Sequence, residues 1–387
     1  MMLRLLPLIL GAFAIGAETF MISGVLPSLS SDLGISFSQS GALVTVFALT
    51  YAVGSPVLAV LTGGFERRRV LTSAIAVFAL GNVAAGLTTG YAGLVGARVL
   101  LALSAGLFMP AAIAYATIDA GPERRGKAVA AIYSGMTMAI VVGVPLATIL
   151  ASAFSWRAAF LGVALLALVA LLGIGAFLPR QDGMTTIGLR HRIDVARRPD
   201  VLQLLALTTL SLIGPFTIST YIGALMGETL GITGDQLAVV LLIFGLASVA
   251  GNSLGGYGAD RWNREKFLAS VLAACVLSFA IISLGANLQG TLGTILVVAG
   301  LALWGATGWA FPSIQQARLV SLDPKLAPVT LSLNTSALYF GTAIGSAFGG
   351  LIVKYEGVAN IGWGAAMTGT AALILLLATC FRKVSAA

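Results

Sequence analysis

The chain has 387 residues, 58% of them hydrophobic and only 9% charged. A soluble domain carries about 25% charged residues, so the composition excludes a soluble globular protein and describes an integral membrane one. The formal net charge of +8 is not the footprint of a nucleic-acid binder, because the positive charges follow the loops of a membrane topology.

The first apolar stretch, from Leu5 to Leu29, reads LLPLILGAFAIGAETFMISGVLPSL. A helix of roughly 20 apolar residues, rising ~1.5 Å per residue, crosses the hydrocarbon of a bilayer. The stretch is too long for a signal-peptide core and is followed by no small-residue cleavage site, so it is expected to remain as a span. It carries Glu18 near its middle. Of the 14 Asp and Glu, Glu18 alone lies deep inside an apolar run. A charge at that depth costs about 2.5–3.5 kcal/mol on insertion scales, so an intramembrane carboxylate is read first as a functional group. The plainer alternative is a polar group satisfied by a neighbouring helix.

Twelve apolar spans are predicted, at 5–28, 40–62, 70–89, 92–118, 128–151, 157–178, 201–226, 236–258, 267–286, 291–315, 328–352 and 360–381. The 47 glycines are scattered through them, as suits helices that approach closely in lipid. With the N-terminus in the cytoplasm, all of the 22 Lys and Arg except Arg98, Arg157 and Lys354 fall at cytoplasmic span ends and loops. That bias follows the positive-inside rule and puts both termini in the cytoplasm. Cys275 and Cys380 both lie within apolar runs, which argues against a disulfide framework.

The longest polar segment, 179–200, is rich in Arg and holds the only histidine, His191. His191 is either a pH sensor or simply a solvated loop residue. The segment divides the chain into an N-terminal six-span bundle (1–178), a cytoplasmic basic linker (179–200) and a C-terminal six-span bundle (201–387). A basic loop follows the second span of each half, which is the trace of an internal repeat.

Those two loops read LTGGFERRR (61–69) and GGYGADRWNREK (255–266). In the second, Gly256 precedes Asp260 by four residues, and Arg261 follows. Glycine lets helix ends approach, and the acid can bond a facing helix N-terminus and hold nearby arginines. Such a clasp can stabilise one state of a two-state machine; the alternative is a plain basic loop. The pattern resembles the signature of the major facilitator superfamily. The first copy departs from it, with Thr62 in place of the first glycine and Glu66 in place of Asp, but the acid–arginine pair Glu66–Arg67 is kept. In span four, LVGARVLLALSAG (94–106) puts Arg98 where that family carries a membrane-embedded arginine linked to proton coupling, although Leu101 and Ala102 replace its usual Gln-Gly. Span five, GMTMAIVVGVPLAT (135–148), is similar to the family's antiporter motif and ends in Gly143, Val144 and Pro145. Its physical content is a face of Gly135, Ala139 and Gly143, spaced by four, against which a helix can pack tightly. Plain packing is the alternative to a gate.

Further likeness lies in GAETFMISGVLP (16–27), in SLNTSALYFGTAIGSAFGGLI (332–352), and in Trp156–Arg157 opening span six. Over the whole chain the sequence resembles the drug:proton antiporter branch, nearest its arabinose-efflux-permease-like members. The resemblance implies an all-α integral membrane fold: twelve transmembrane helices in two six-helix pseudo-symmetric bundles around a central cavity lined by spans one, four, seven and ten. It implies a multi-pass protein of the cytoplasmic (inner) membrane that exports a small organic molecule such as a drug, sugar or nucleoside in exchange for protons. Members differ in substrate.

Glu18 lies nine residues before Pro27, about 14 Å from the outer end of its span, and Arg98 lies about 9 Å into span four at ~1.5 Å per residue. Those depths allow the two side chains to meet or to share a water. A carboxyl held between burial and a nearby cation can gain and lose a proton as access alternates. For Arg98 the alternative is a structural tie to backbone carbonyls. Weaker cavity candidates are Tyr51, Phe216, Tyr221, Asn252, Trp304, Trp309, Gln315, Asn334 and Tyr339, whose rings and amides suit an uncharged substrate and equally suit packing.

Other classes fit poorly. A two-aspartate protease needs two Asp within spans, a Ser-His hydrolase needs a membrane His, and a zinc site needs ligands of usable spacing; the sequence offers none of these. An uptake symporter built on the same Glu18, and a non-transporting sensor, remain the alternatives to export. No enzyme activity, cofactor or metal is expected. The expected partners are the lipid bilayer, protons and a small-molecule substrate, with no nucleic acid, and the chain is expected to be a monomer.

Overall fold

A computed structural model describes residues 2–183, 188–288, 290–323 and 326–384. Lys325 and the side chains of Cys380, Arg382 and Lys383 lie outside the described residues. No strand occurs among the described residues, and twelve helices are long and apolar enough to cross a membrane. The chain divides into two compact units. One contains the residues up to Ile35 and Val46–Leu189, and the other contains Ser36–Thr45 and the residues from Arg190 onward.

α1 (Met2–Leu33), α2 (Phe37–Leu61), α3 (Arg67–Leu87) and α4 (Tyr91–Ala120) are single helices, and all but the first turns of α2 belong to the first unit. Span five is not one helix. It runs as α5 (Arg125–Met138), a π-helical stretch Ala139–Gly143, and α6 (Val144–Ala153), followed by α7 (Trp156–Phe177). Pro145 explains the change of winding, since it has no N–H to continue the ladder and its ring crowds the preceding turn. A π-bulge takes up such a mismatch without ending the helix.

α1 packs against α4, α5, α6 and α7, and α3 lies against α4 and α7. The seam between α1 and α5 is made of small residues. A Cβ on Gly135 would stand 2.4 Å from the Ile9 carbonyl oxygen, and one on Gly143 would stand 3.0 Å from the Ala17 methyl. Two polar ties finish the unit. At one end Trp156 Nε1 donates to Asp32 Oδ2 at 3.0 Å, and Arg157 bonds the same oxygen and the Thr88 carbonyl. The Trp-Arg pair that opens span six thus fastens three helix ends. At the other end the residues after span six cross the unit: the Arg67 N–H donates to Gln181 O at 2.8 Å and the Tyr115 hydroxyl to Pro179 O at 3.1 Å.

The segment 179–200, expected as a linker, contains a helix, α8 (Leu189–Ala196). Val195 anchors it against Val201 and Val329. His191 is exposed on it. Span seven is broken into α9 (Pro199–Ser219) and α10 (Ile222–Leu230). α11 (Gly234–Arg261) and α12 (Arg264–Asn287) are continuous. Span ten is broken into α13 (Thr291–Gly308) and α14 (Phe311–Leu322), and α15 (Ala327–Tyr355) and α16 (Ile361–Val384) complete the chain. Pro215, inside α9, precedes the first break, and Pro312, in the first turn of α14, follows the second. Proline is tolerated at a helix start and obstructs a helix interior.

The α9–α15 contact repeats the device of the α1–α5 seam. Cβ atoms on Gly341, Gly345 and Gly349, spaced by four, would lie 2.4, 2.3 and 2.8 Å from the carbonyl oxygens of Thr209, Ile213 and Thr217. Small residues at this spacing let two backbones touch in lipid, where dispersion rather than the hydrophobic effect holds helices together. A prediction follows from these distances. Gly135→Ala and Gly345→Ala force backbone apart and each lose about 1–3 kcal/mol of stability. Gly96→Ala, inside α4 and where an added Cβ meets nothing within 4 Å, holds or slightly raises the unfolding midpoint of the purified protein, since alanine is the better helix former.

Candidate functional site: a buried carboxylate–guanidinium pair

Three helices of the first unit bring the chemistry together. α1 supplies Glu18, α4 supplies Arg98 and α2 supplies Phe47 and Tyr51. Glu18 and Arg98 are both fully buried and form a salt bridge between Arg98 Nη1 and Glu18 Oε1. The two side chains meet directly, with no need for a bridging water. Glu18 Oε2 is buried and accepts no hydrogen bond among the described residues. The Arg98 guanidinium carbon lies 4.4 Å from the centroid of the Phe47 ring. Phe47 in turn meets Tyr51, ring centroids 6.2 Å apart and planes tilted by 38°. All four residues are at most 3% exposed.

The physical logic is mutual. Each charge alone would be costly at this depth, and pairing offsets much of the cost. The aromatic face attracts the guanidinium through the ring quadrupole, an effect worth about 2 kcal/mol or more once water is excluded. The free oxygen of Glu18 gives the carboxylate a place to accept a proton without first breaking the contact to Arg98. Phe47 escaped the sequence reading. Its signal was present only as an aromatic one turn before Tyr51, and nothing in the chain order says which ring faces Arg98.

The other sequence candidates are dispersed. In the second unit Trp304 is buried between Phe244 (4.7 Å between centroids) and Phe279 (5.8 Å), as part of the packing. Tyr221 is fully buried and donates to the Ser346 carbonyl at 3.0 Å. Tyr339 is buried, Phe216 and Trp309 are half-buried, and Asn252 is exposed. Asn334 belongs to a polar network that joins three helices. Thr208 Oγ1 donates to Asn334 Oδ1 at 2.7 Å, Gln315 Nε2 donates to Thr208 Oγ1 at 3.0 Å and to Leu204 O at 2.8 Å, and Arg318 donates to Gln315 Oε1 at 3.1 Å. Thr208, buried on α9, was not among the residues singled out from the sequence.

The two loop motifs differ from expectation in their partners. Glu66 pairs with Arg69, at 2.9 Å, rather than with Arg67. In a helix starting at residue 67, residues 66 and 69 are i and i+3 and share a face, whereas 66 and 67 do not. Arg67 Nε is buried with no partner among the described residues. In the second loop Asp260 and Arg261 are exposed. Arg261 lies over the Tyr257 ring, 4.8 Å from its centroid, and donates to the Tyr257 hydroxyl at 3.3 Å. The glycine at the tight approach is Gly255, whose Cβ would stand 2.6 Å from Ala310 Cα; Gly256 faces open space. Of the span-five residues, Gly135 and Gly143 line the seam with α1, and Pro145 is buried just after the π-helical stretch. No cluster of three or more His, Cys, Asp or Glu capable of holding a metal occurs among the described residues.

The fold is that of a polytopic helical membrane protein with a charged pair buried within one of two helical units. The sequence matches the Major Facilitator Superfamily over residues 8–325 and 204–386. It is 32% identical to the "Uncharacterized MFS-type transporter YbcL" of Bacillus subtilis, over 95% of this chain and 93% of that protein. It is 29% identical to the "Chloramphenicol resistance protein" of Streptomyces lividans, over 98% and 97% of the two chains. Among solved structures, the nucleoside transporter NupG superposes with a TM-score of 0.78 over 97% of this chain and 99% of that one, at 13% identity, a likeness of fold. The chain belongs to the major facilitator superfamily.

The pair generates a stability prediction. Glu18→Leu or Arg98→Met alone leaves one buried charge without its partner and costs about 3–5 kcal/mol. The double substitution restores charge balance and recovers most of that loss. Unfolding midpoints of the four proteins, measured in one detergent, check the cycle; additive losses would mean that the two side chains do not act as a pair.

Proposed function

We propose that this transporter exports a small, uncharged organic molecule, of the drug, sugar or nucleoside class, in exchange for protons. The observation that carries the reading is the fully buried Glu18–Arg98 pair with its one unbonded carboxylate oxygen. It is supported by the apolar character of the spans around it, which leaves Glu18 as the acid at membrane depth. The resistance named in the Streptomyces lividans relative favours export over uptake.

In the proposed cycle, the outward-open form protonates Glu18 at its free oxygen while substrate leaves. The two halves then exchange access, as a small free-energy difference between two conformations allows. On the cytoplasmic side Glu18 returns its proton, the pair with Arg98 re-forms, and new substrate enters. Aromatic and amide groups bind the substrate, which brings no charge of its own. The protein acts as a monomer in the cytoplasmic membrane with both termini inside.

Chloramphenicol is the first probe. In inside-out vesicles energised to an acidic interior, the wild type is expected to accumulate it and to draw down the proton gradient on its addition. Glu18→Gln is expected to lose both responses while remaining folded in the membrane. Proton-driven accumulation that survives in Glu18→Gln would remove Glu18 from the coupling step. Accumulation in right-side-out vesicles driven by an inward proton gradient would make the protein a symporter.

A further inference from the structure

We infer that α8 is a membrane-surface helix whose free face takes the headgroups of anionic phospholipids. The inference does not depend on the proposed transport cycle. A helix as short as α8 does not persist in water on its own hydrogen bonds, so it owes its form to what it rests on. Val195 packs against Val201 of α9 and Val329 of α15, and Arg192 Nη1 donates to Ser332 Oγ at 2.7 Å. These partners lie in the opening turns of two spans, Pro199–Ser219 and Ala327–Tyr355. α8 therefore sits at the level where those spans enter the bilayer.

The docking uses one side of the helix. At ~100° per residue, Leu189 and Ile193 share a flank, and Arg190 and Arg197 share the side opposite Val195. Arg197 extends the last turn, its N–H donating to Ile193 O at 3.0 Å. Leu189 is 41% exposed, Ile193 is 44% exposed, and both arginines are exposed. Neither arginine has an ion-pair partner among the described residues. His191 and Asp194 take the remaining side.

A bilayer surface answers each of these groups. The aliphatic flank prolongs the apolar surface of the spans and enters the acyl boundary, while the arginine stems follow it and their heads reach the phosphates. The guanidinium fork matches two phosphate oxygens. A zwitterionic headgroup brings its own ammonium to that phosphate, whereas an anionic headgroup leaves the negative charge to arginine. In the expected orientation the leaflet is the cytoplasmic one. A second copy docked face to face would set arginine against arginine, and like charges oppose that pairing.

The test needs no transported substrate. The full chain in detergent is titrated with phosphatidylglycerol or phosphatidylcholine, and native mass spectrometry reads both bound lipid and oligomeric state. The wild type is expected to bind phosphatidylglycerol at the lower concentration. Arg190→Gln/Arg197→Gln is expected to raise the concentration needed by roughly fivefold for each arginine removed. Arg124→Gln/Lys127→Gln removes the same charge from exposed positions at the start of span five and is expected to leave the titration unchanged. Should the first pair fail to fold, Arg197→Gln alone, just beyond α8, gives the same reading in one step. Equal binding of the two lipids by the wild type would overturn the inference, as would an equal loss in the Arg124→Gln/Lys127→Gln control. Displacement of the lipid by millimolar inorganic phosphate would make the face a free-phosphate site instead. A dimer that dissociates in Ile193→Asn would assign the face to a second copy and end the lipid reading.

Discussion

A charge inside a bilayer has to be answered by another charge or by dipoles, and most of the first unit can be read as the answer to Glu18. The carboxylate on α1 requires a cation at its own depth. Arg98 on α4 supplies it, and the face of Phe47 on α2 supplies a second contact to that cation. Three helices distant in sequence are thereby held at one level by a single electrostatic requirement. The requirement is conditional, because it weakens whenever Glu18 is neutral. In the proposed exchange, it is this constraint, switched by one proton, that would link protonation to the change of access.

The small-residue seams supply the complementary property. Where α1 meets α5 and α9 meets α15, glycines bring backbone against backbone, leaving little side-chain interdigitation to resist sliding or rotation. Both seams lie within a unit, and both recur at the corresponding place in the repeat. The span-five motif is thus half of a packing device that the second unit builds again with Gly341, Gly345 and Gly349. The π-helical turn at Ala139–Gly143 of span five adds a local change of winding beside α1, the helix that carries Glu18.

Much of this was legible in the sequence, for reasons that differ by feature. The spans were readable because lipid imposes a length and a polarity on every helix, and a charge such as Glu18 stands out against an apolar run. Its depth matched that of Arg98 closely enough to allow the two to meet, and the resemblance pointed to the same arginine. Breaks inside spans were less readable. Pro215 and Pro312 were visible, but a proline in a membrane helix can be accommodated by neighbours, so its position does not say whether the helix stops. Partner choice was the least readable. Glu66 takes Arg69 rather than the adjacent Arg67, Gly255 rather than Gly256 makes the close approach, and Trp304 sits between Phe244 and Phe279. In each case the outcome depends on which face of a helix meets a neighbour, and a run of apolar residues on all sides carries little information about facing. Phe47 was hidden for the same reason, being one phenylalanine among 18.

The interruptions also fix how this molecule deforms. α1 and α4, which hold the charged pair, are unbroken, whereas spans seven and ten of the second unit each consist of two rods joined at a turn, at Thr220–Tyr221 and Trp309–Ala310. The two units therefore differ in helix continuity, α1 and α4 each running as one rod and spans seven and ten each as two. A spin label or fluorophore on α13 and another on α14 sit on separate bodies although they share a span. Distances measured between them report bending of the joint, and only labels on the same rod report displacement of the unit as a whole.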